Sequence, residues 1–143
     1  MRAESAAQRR RRPANTKDRA RLVIADDDPV VLSHIKELLD PYFSVVLAVG
    51  NGRDLVDGVQ RLTPSGAVTD INMPEWNGLE ATRRIARDHP KVKVIVFSIH
   101  DDPFLIQAAF DAGASGYVFK YESPRNLISS IQVVLAGGQR RPH

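Results

Sequence analysis

Between residues 21 and 138, five short apolar runs alternate with five amphipathic stretches, and this alternation constrains the fold more than any other feature of the chain. The runs fall at residues 22–25, 43–49, 67–71, 92–97 and 117–119. Strands that read as near-continuous apolar segments, with helices between them, belong to a parallel sheet covered on both faces. Right-handed crossovers then predict an α/β fold, a doubly wound (βα)5 sandwich with a five-stranded parallel sheet. The intervening stretches carry helix signals. Asp28-Pro29, Asp102-Pro103 and Ser123-Pro124 each place a capping side chain before a proline, whose missing N–H is no loss in a first helical turn. Val31, Leu32, Ile35, Leu38 and Leu39 repeat at the spacing of one buried helix face, as do Leu127, Ile128, Ile131, Val134 and Leu135. Asn51-Gly52 reads as a turn closing the second strand, Gly113 as a helix stop, and Gly137-Gly138 as the end of the last helix.

Charge is unevenly distributed along the 143 residues. Residues 1–21 hold eight Lys/Arg against two acids, whereas residues 22–143 hold twelve against fifteen. Residues 1–20 have no hydrophobic period and are expected to be a basic, disordered tail, followed by one domain at 21–138 and a short tail or linker stump at 139–143. The run Arg9 to Arg12 could touch nucleic acid, but without aromatic residues or helical period any contact is expected to be weak and salt-sensitive. No apolar segment reaches the roughly 18–20 residues of a membrane-spanning helix, and no signal-peptide core follows the arginines, so no membrane partner is expected and the cytoplasm is the expected compartment. The absence of cysteine excludes disulfide scaffolds, cysteine zinc sites and thiol catalysis.

In doubly wound sheets, ligands sit at the carboxyl ends of the strands. Those ends carry Asp26, Asp27 and Asp28 after the first run, Asp70 at the third, Ser98 at the fourth and Lys120 at the fifth. Carboxylates brought within a few ångströms repel one another unless a cation intervenes. Mg²⁺ suits such a site, because it accepts one or two carboxylates and leaves room for phosphoryl oxygens. An aspartate beside it can act as a nucleophile towards phosphorus, with an ammonium and a hydroxyl to stabilise the transferred group. Each acid alone reads as a helix cap and Lys120 alone as a surface cation; the constellation is the signal.

These residues also resemble a known family. The stretches Leu22-Val23-Ile24-Ala25-Asp26-Asp27-Asp28, Thr69-Asp70-Ile71-Asn72-Met73-Pro74-Glu75-Trp76-Asn77-Gly78, Val94-Ile95-Val96-Phe97-Ser98 and Gly113-Ala114-Ser115-Gly116-Tyr117-Val118-Phe119-Lys120 resemble the receiver domain of two-component response regulators. The resemblance implies the flavodoxin-like strand order 2-1-3-4-5 and a domain that is no turnover enzyme. It implies that Asp70 accepts a phosphoryl group from a sensor histidine kinase, and that Asp26, Asp27, Asp70 and the backbone carbonyl of Asn72 hold Mg²⁺. Ser98 and Lys120 would bind phosphoryl oxygens, with Ser98 and Tyr117 acting as the switch pair and a phosphorylation-dependent homodimer as one outcome. Asn72 and His100 would flank and tune the acyl phosphate, and the bulky Ile99 is expected to narrow phosphoryl access.

The stretch from Gly113 and the closing Leu135-Ala136-Gly137-Gly138 resemble the subfamily whose receivers precede a LuxR-type helix-turn-helix domain. Five residues follow Gly138, so DNA would be reached only through an effector domain absent from this chain, which is expected to be a piece of a transcription regulator or a stand-alone receiver. The family's lysine is commonly followed by proline, but here by Tyr121. A rival reading takes Asp26-Asp27-Asp28-Pro29-Val30 as the nucleophile string of a haloacid-dehalogenase-like phosphatase, with Asp26 as nucleophile and Asp28 as general acid. That reading lacks an acidic pair after Lys120, where only Glu122 follows, and leaves Asp70 without a role.

Overall fold

A computed structural model describes residues 18–142, so all but the last three residues of the basic segment expected at 1–20 lie outside the described residues. Five strands and five helices alternate. They are β1 (Arg21–Ala25), α1 (Pro29–Leu39), β2 (Ser44–Val49), α2 (Gly52–Leu62), β3 (Gly66–Thr69), α3 (Gly78–Asp88), β4 (Lys93–Ser98), α4 (Pro103–Asp111), β5 (Gly116–Phe119) and α5 (Pro124–Leu135). The strands pair in parallel in the order β2-β1-β3-β4-β5. This is the doubly wound (βα)5 arrangement that the alternation predicts.

Each helix starts where a side chain accepts the amides that the helix itself cannot satisfy. Asp28 Oδ1 takes the amides of Val30 (2.9 Å) and Val31 (3.4 Å), and Asp102 Oδ1 takes that of Phe104 (2.9 Å). Ser123 caps α5 through the amide of Arg125, and Asn77 caps α3 through that of Glu80. One expectation is corrected. Asn51-Gly52 is not a free turn: Asn51 Oδ1 accepts the amide of Asp54 at 2.8 Å, so Asn51 caps α2 and Gly52 is its first residue.

Strand limits also shift by one or two residues. Phe43 precedes β2, because its amide bonds the Leu39 carbonyl (2.9 Å) in the turn after α1 while its ring enters the core. β3 stops at Thr69 rather than 71, because the Ile71 carbonyl is taken by the amide of Gly78 (2.8 Å) and the chain turns there.

Successive side chains of a strand point to opposite faces, and β1 shows the consequence. Leu22 and Ile24 join Ile35, Leu39, Leu127, Ile131 and Val134 under α1 and α5. Val23 and Ala25 join Leu55, Val59, Ala81 and Ile85 under α2 and α3. A third group, with Val96, Ala109, Ala114, Tyr117 and Phe119, packs α4 on the β4–β5 end. With both faces sealed by apolar side chains, the polar strand-end residues gather on one rim.

Residues 139–142, expected as a tail, run back along the outer edge of β5. The Tyr117 amide donates to the Arg140 carbonyl at 3.0 Å, and the Arg140 amide to the Ser115 carbonyl at 2.9 Å. An edge strand presents unpaired amides and carbonyls, and this segment satisfies some of them. The Arg141 guanidinium lies 4.1 Å from the centre of the Phe110 ring. Among the described residues, no helix is long and apolar enough to cross a membrane.

Candidate functional site

The rim at the carboxyl ends of β1, β3, β4 and β5 brings the sequence-selected groups together. Asp26 leaves β1, its amide bonded to the Val49 carbonyl (3.0 Å) and its Oδ1 accepting the Asp28 amide (2.9 Å). Asp70 leaves β3, its amide bonded to Ala25 (3.0 Å) and its Oδ1 accepting the Ile71 amide (2.7 Å). One carboxylate oxygen from each of Asp26, Asp27 and Asp70 lies within 4.8 Å of the other two. Asp27 is exposed, whereas the Asp26 and Asp70 side chains keep 1% and 12% of their accessible surface.

Lys120, just beyond β5, reaches into this cluster. Its Nζ donates to Asp26 Oδ2 at 2.6 Å and to Asp70 Oδ2 at 3.0 Å. Burial opposes the charge on Lys120, but the bonds from the two carboxylates outweigh it, so the ammonium holds its proton more tightly than an ordinary lysine. One cation facing three carboxylates leaves net negative charge. With the rim otherwise supplying oxygen donors, the acidic pocket fits a hard divalent cation.

Ser98, the last residue of β4, is fully buried, and its Oγ accepts the His100 amide at 3.1 Å. Tyr117 is also buried, and its hydroxyl donates to the His100 carbonyl at 2.8 Å. Burial is the main cause that raises the Tyr117 pKa. His100 is tied to a second element as well: its Nε2 lies 2.9 Å from Asn72 Nδ2, so the loops after β3 and β4 meet side chain to side chain. Ile99 is exposed, as is Tyr121, whose ring stacks on Phe119 with centroids 5.0 Å apart.

Asp28, the general acid of the phosphatase reading, spends its side chain on the cap of α1. Reasoning from sequence quoted the stretch from Thr69 to Gly78 but gave Trp76 no role of its own and passed over Arg53 and Arg84, whose guanidinium groups meet its ring. Arg53 is remote in sequence from the other two, and no local pattern links them. The one available signal is that Trp76 is the single tryptophan of the chain.

Residues 22–132 match the family model described as the response regulator receiver domain. The transcriptional regulatory protein DegU of Brevibacillus brevis is 38% identical over 123 residues, covering 85% of this chain and 52% of its own length. The transcriptional regulatory protein UhpA of Salmonella typhimurium is 34% identical over 119 residues, covering 82% and 59%. The chain thus spans little more than half the length of these curated relatives. Among solved structures, a LuxR-family two-component response regulator from Aurantimonas sp. SI85-9A1 superposes with a TM-score of 0.82 at 31% identity, covering 86% of this chain and 89% of that one. The isolated REC domain of RcsB from Salmonella enterica serovar Typhimurium, in the presence of phosphomimetic BeF3−, gives 0.80 at 25% identity, covering 88% and 95%.

Proposed function

The chain belongs to the response regulator receiver domain family, a family of phosphorelay signalling, and on that footing we propose that Asp70 accepts a phosphoryl group from a sensor histidine kinase in the cytoplasm. The observation that carries this assignment is Lys120 Nζ, held between Asp26 Oδ2 and Asp70 Oδ2 at 2.6 and 3.0 Å inside a three-carboxylate cluster.

Asp26, Asp27, Asp70 and the backbone carbonyl of Asn72 are the groups that would hold Mg²⁺, which when bound neutralises charge on the carboxylates and on the arriving phosphoryl oxygens. The bond from the Ile71 amide fixes the rotation of the Asp70 carboxylate. In the transfer, an Asp70 oxygen forms a bond to phosphorus while the bond from phosphorus to the kinase's imidazole nitrogen breaks, and the nitrogen keeps the electron pair. Lys120 then exchanges one carboxylate partner for a phosphoryl oxygen, and Ser98 Oγ supplies a hydroxyl donor to another. The new group brings roughly −1.5 to −2 charges to the rim. The bonds that Ser98 and Tyr117 make to the backbone of His100 give that charge a path to the loop before α4.

The reaction is stoichiometric: the protein modifies itself and turns over no external substrate. The output is a changed surface for a partner, a second receiver or an attached DNA-binding domain, in keeping with relatives named as transcriptional regulators. The phosphatase reading is not favoured, since the family match accounts for Asp70 and that reading does not.

The test is covalent labelling by acetyl phosphate with Mg²⁺, read as intact mass and by peptide mapping. Labelling confined to Asp70 and lost in Asp70→Asn is expected. Undiminished labelling of Asp70→Asn, or a phosphoryl group on Asp26, overturns the assignment.

A further inference from the structure

The loop from β3 to α3 carries the Asn72 carbonyl, and two of its residues adopt a conformation that their side chains disfavour. Glu75 and Trp76 have φ of 54° and 74°, in the left-handed region where non-glycine residues are uncommon. Such residues persist where the surroundings fix them. Here the surroundings are the first turn of α2 and the outer face of α3. The Arg53 amide donates to the Glu75 carbonyl at 2.7 Å and the Gly52 amide to the Pro74 carbonyl at 3.3 Å. A Cβ at Gly52 would run into the Trp76 carbonyl, so the close approach requires glycine.

Two guanidinium groups then stack on the indole. Arg53 Cζ lies 4.8 Å from its ring centre and Arg84 Cζ 3.7 Å. Arg84 is steadied in turn by Glu80 Oε1 at 3.2 Å. Arg53 Nε also meets Glu75 Oε2 at 3.1 Å. That pair is well exposed and contributes little by itself; the two backbone bonds and the stacking on tryptophan are the stronger ties. At its other end the loop is closed by the Gly78 amide on the Ile71 carbonyl, 2.8 Å. Asn72 lies between the two fixed points.

We infer that Trp76, clamped by Arg53 and Arg84, is a positioning residue for the divalent cation, holding the loop so that the Asn72 carbonyl is presented to the acidic cluster. The inference rests on reading Asp26, Asp27, Asp70 and Asn72 as the ligands. Groups that orient ligands without touching the metal typically change affinity 10- to 100-fold.

Calorimetric titration of Mg²⁺ into the full chain tests it, alongside thermal melts in chelator. Trp76→Ala should weaken Mg²⁺ binding by about tenfold. Trp76→Phe, which keeps a ring to stack on, should stay within about twofold. Arg84→Lys keeps the charge but loses the planar face, and should weaken binding by about threefold. A purely structural role predicts a lower metal-free melting temperature with an unchanged dissociation constant, and that result overturns the inference. Should Trp76→Ala not fold, Arg84→Lys decides: wild-type affinity there is equally fatal. Wild-type protein without saturable Mg²⁺ binding overturns the ligand reading along with the clamp, whereas normal wild-type binding with unaltered variants overturns the clamp alone.

Discussion

Tyr117 donates its hydroxyl to the backbone carbonyl of His100 across 2.8 Å, joining β5 to the loop that follows β4. The same His100 gives its amide to Ser98 Oγ and meets Asn72 through its ring. One residue therefore collects the hydroxyl of β4, the aromatic of β5 and the loop after Asp70. A change of partner at Ser98 must disturb all three.

The Asn72–His100 contact spans two loops beside Asp70. With a phosphoryl group on Asp70, as proposed, a hydrogen bond between these two side chains would restrict the approach of hydrolytic water. His100→Ala should shorten the lifetime of phosphorylated Asp70 by about fivefold, the equivalent of one hydrogen bond of about 1 kcal/mol. Loss of radiolabelled phosphate after removal of the donor measures it.

Lys120 and Tyr117 make a joint prediction at alkaline pH. For Lys120, burial pulls the pKa down and the two carboxylates pull it up by more; for Tyr117, burial raises it. Both groups thus bind their protons more tightly in the folded chain than in the unfolded one. Their stabilisation is complete below the ordinary values of about 10 to 10.4 and is lost as pH climbs through the raised folded values. Urea unfolding from pH 8 upwards should show stability falling above about pH 10, less steeply in Tyr117→Phe than in wild type.

Mg²⁺ should act as a ligand of the folded state. At a free concentration about 100 times its dissociation constant, it should add about 2.7 kcal/mol to the unfolding free energy. Asp26→Asn removes a buried carboxylate of the cluster and should abolish most of that increment. The comparison is made by denaturant titration with and without chelator.

What could be read from the sequence follows a physical division. The alternation of apolar runs and helical stripes led to the sheet, because burial on both faces demands it; Asp28-Pro29, Asp102-Pro103 and Ser123-Pro124 led to three helix starts, because capping is local. Asp26, Asp70, Ser98 and Lys120 were legible as a group because strand ends converge. The contact of Asn72 with His100 depends on how two loops fold, and the meeting of Arg53 with Trp76 on how the loop before α3 lies against the first turn of α2. Neither leaves a periodic trace. Asn51 was misread as a turn residue because an asparagine followed by glycine favours both a turn and a cap, and only the amide of Asp54 decides between them.

The segment beyond Gly138 gives the last prediction. Its Arg140 carbonyl occupies the Tyr117 amide and its own amide the Ser115 carbonyl, while Arg141 covers Phe110. Ending the chain at Gly138 removes both bonds and the cation–π contact and exposes the edge of β5. With each hydrogen bond contributing about 0.5–1.5 kcal/mol, the cost should be about 1–3 kcal/mol. Hydrogen exchange locates the effect: the Tyr117 amide should lose protection in the shortened chain while that of Val96, inside the sheet, is slowed or quickened only as global stability dictates. Equal protection of Tyr117 in the two chains would show that the strap contributes nothing to the strand that carries the buried phenol.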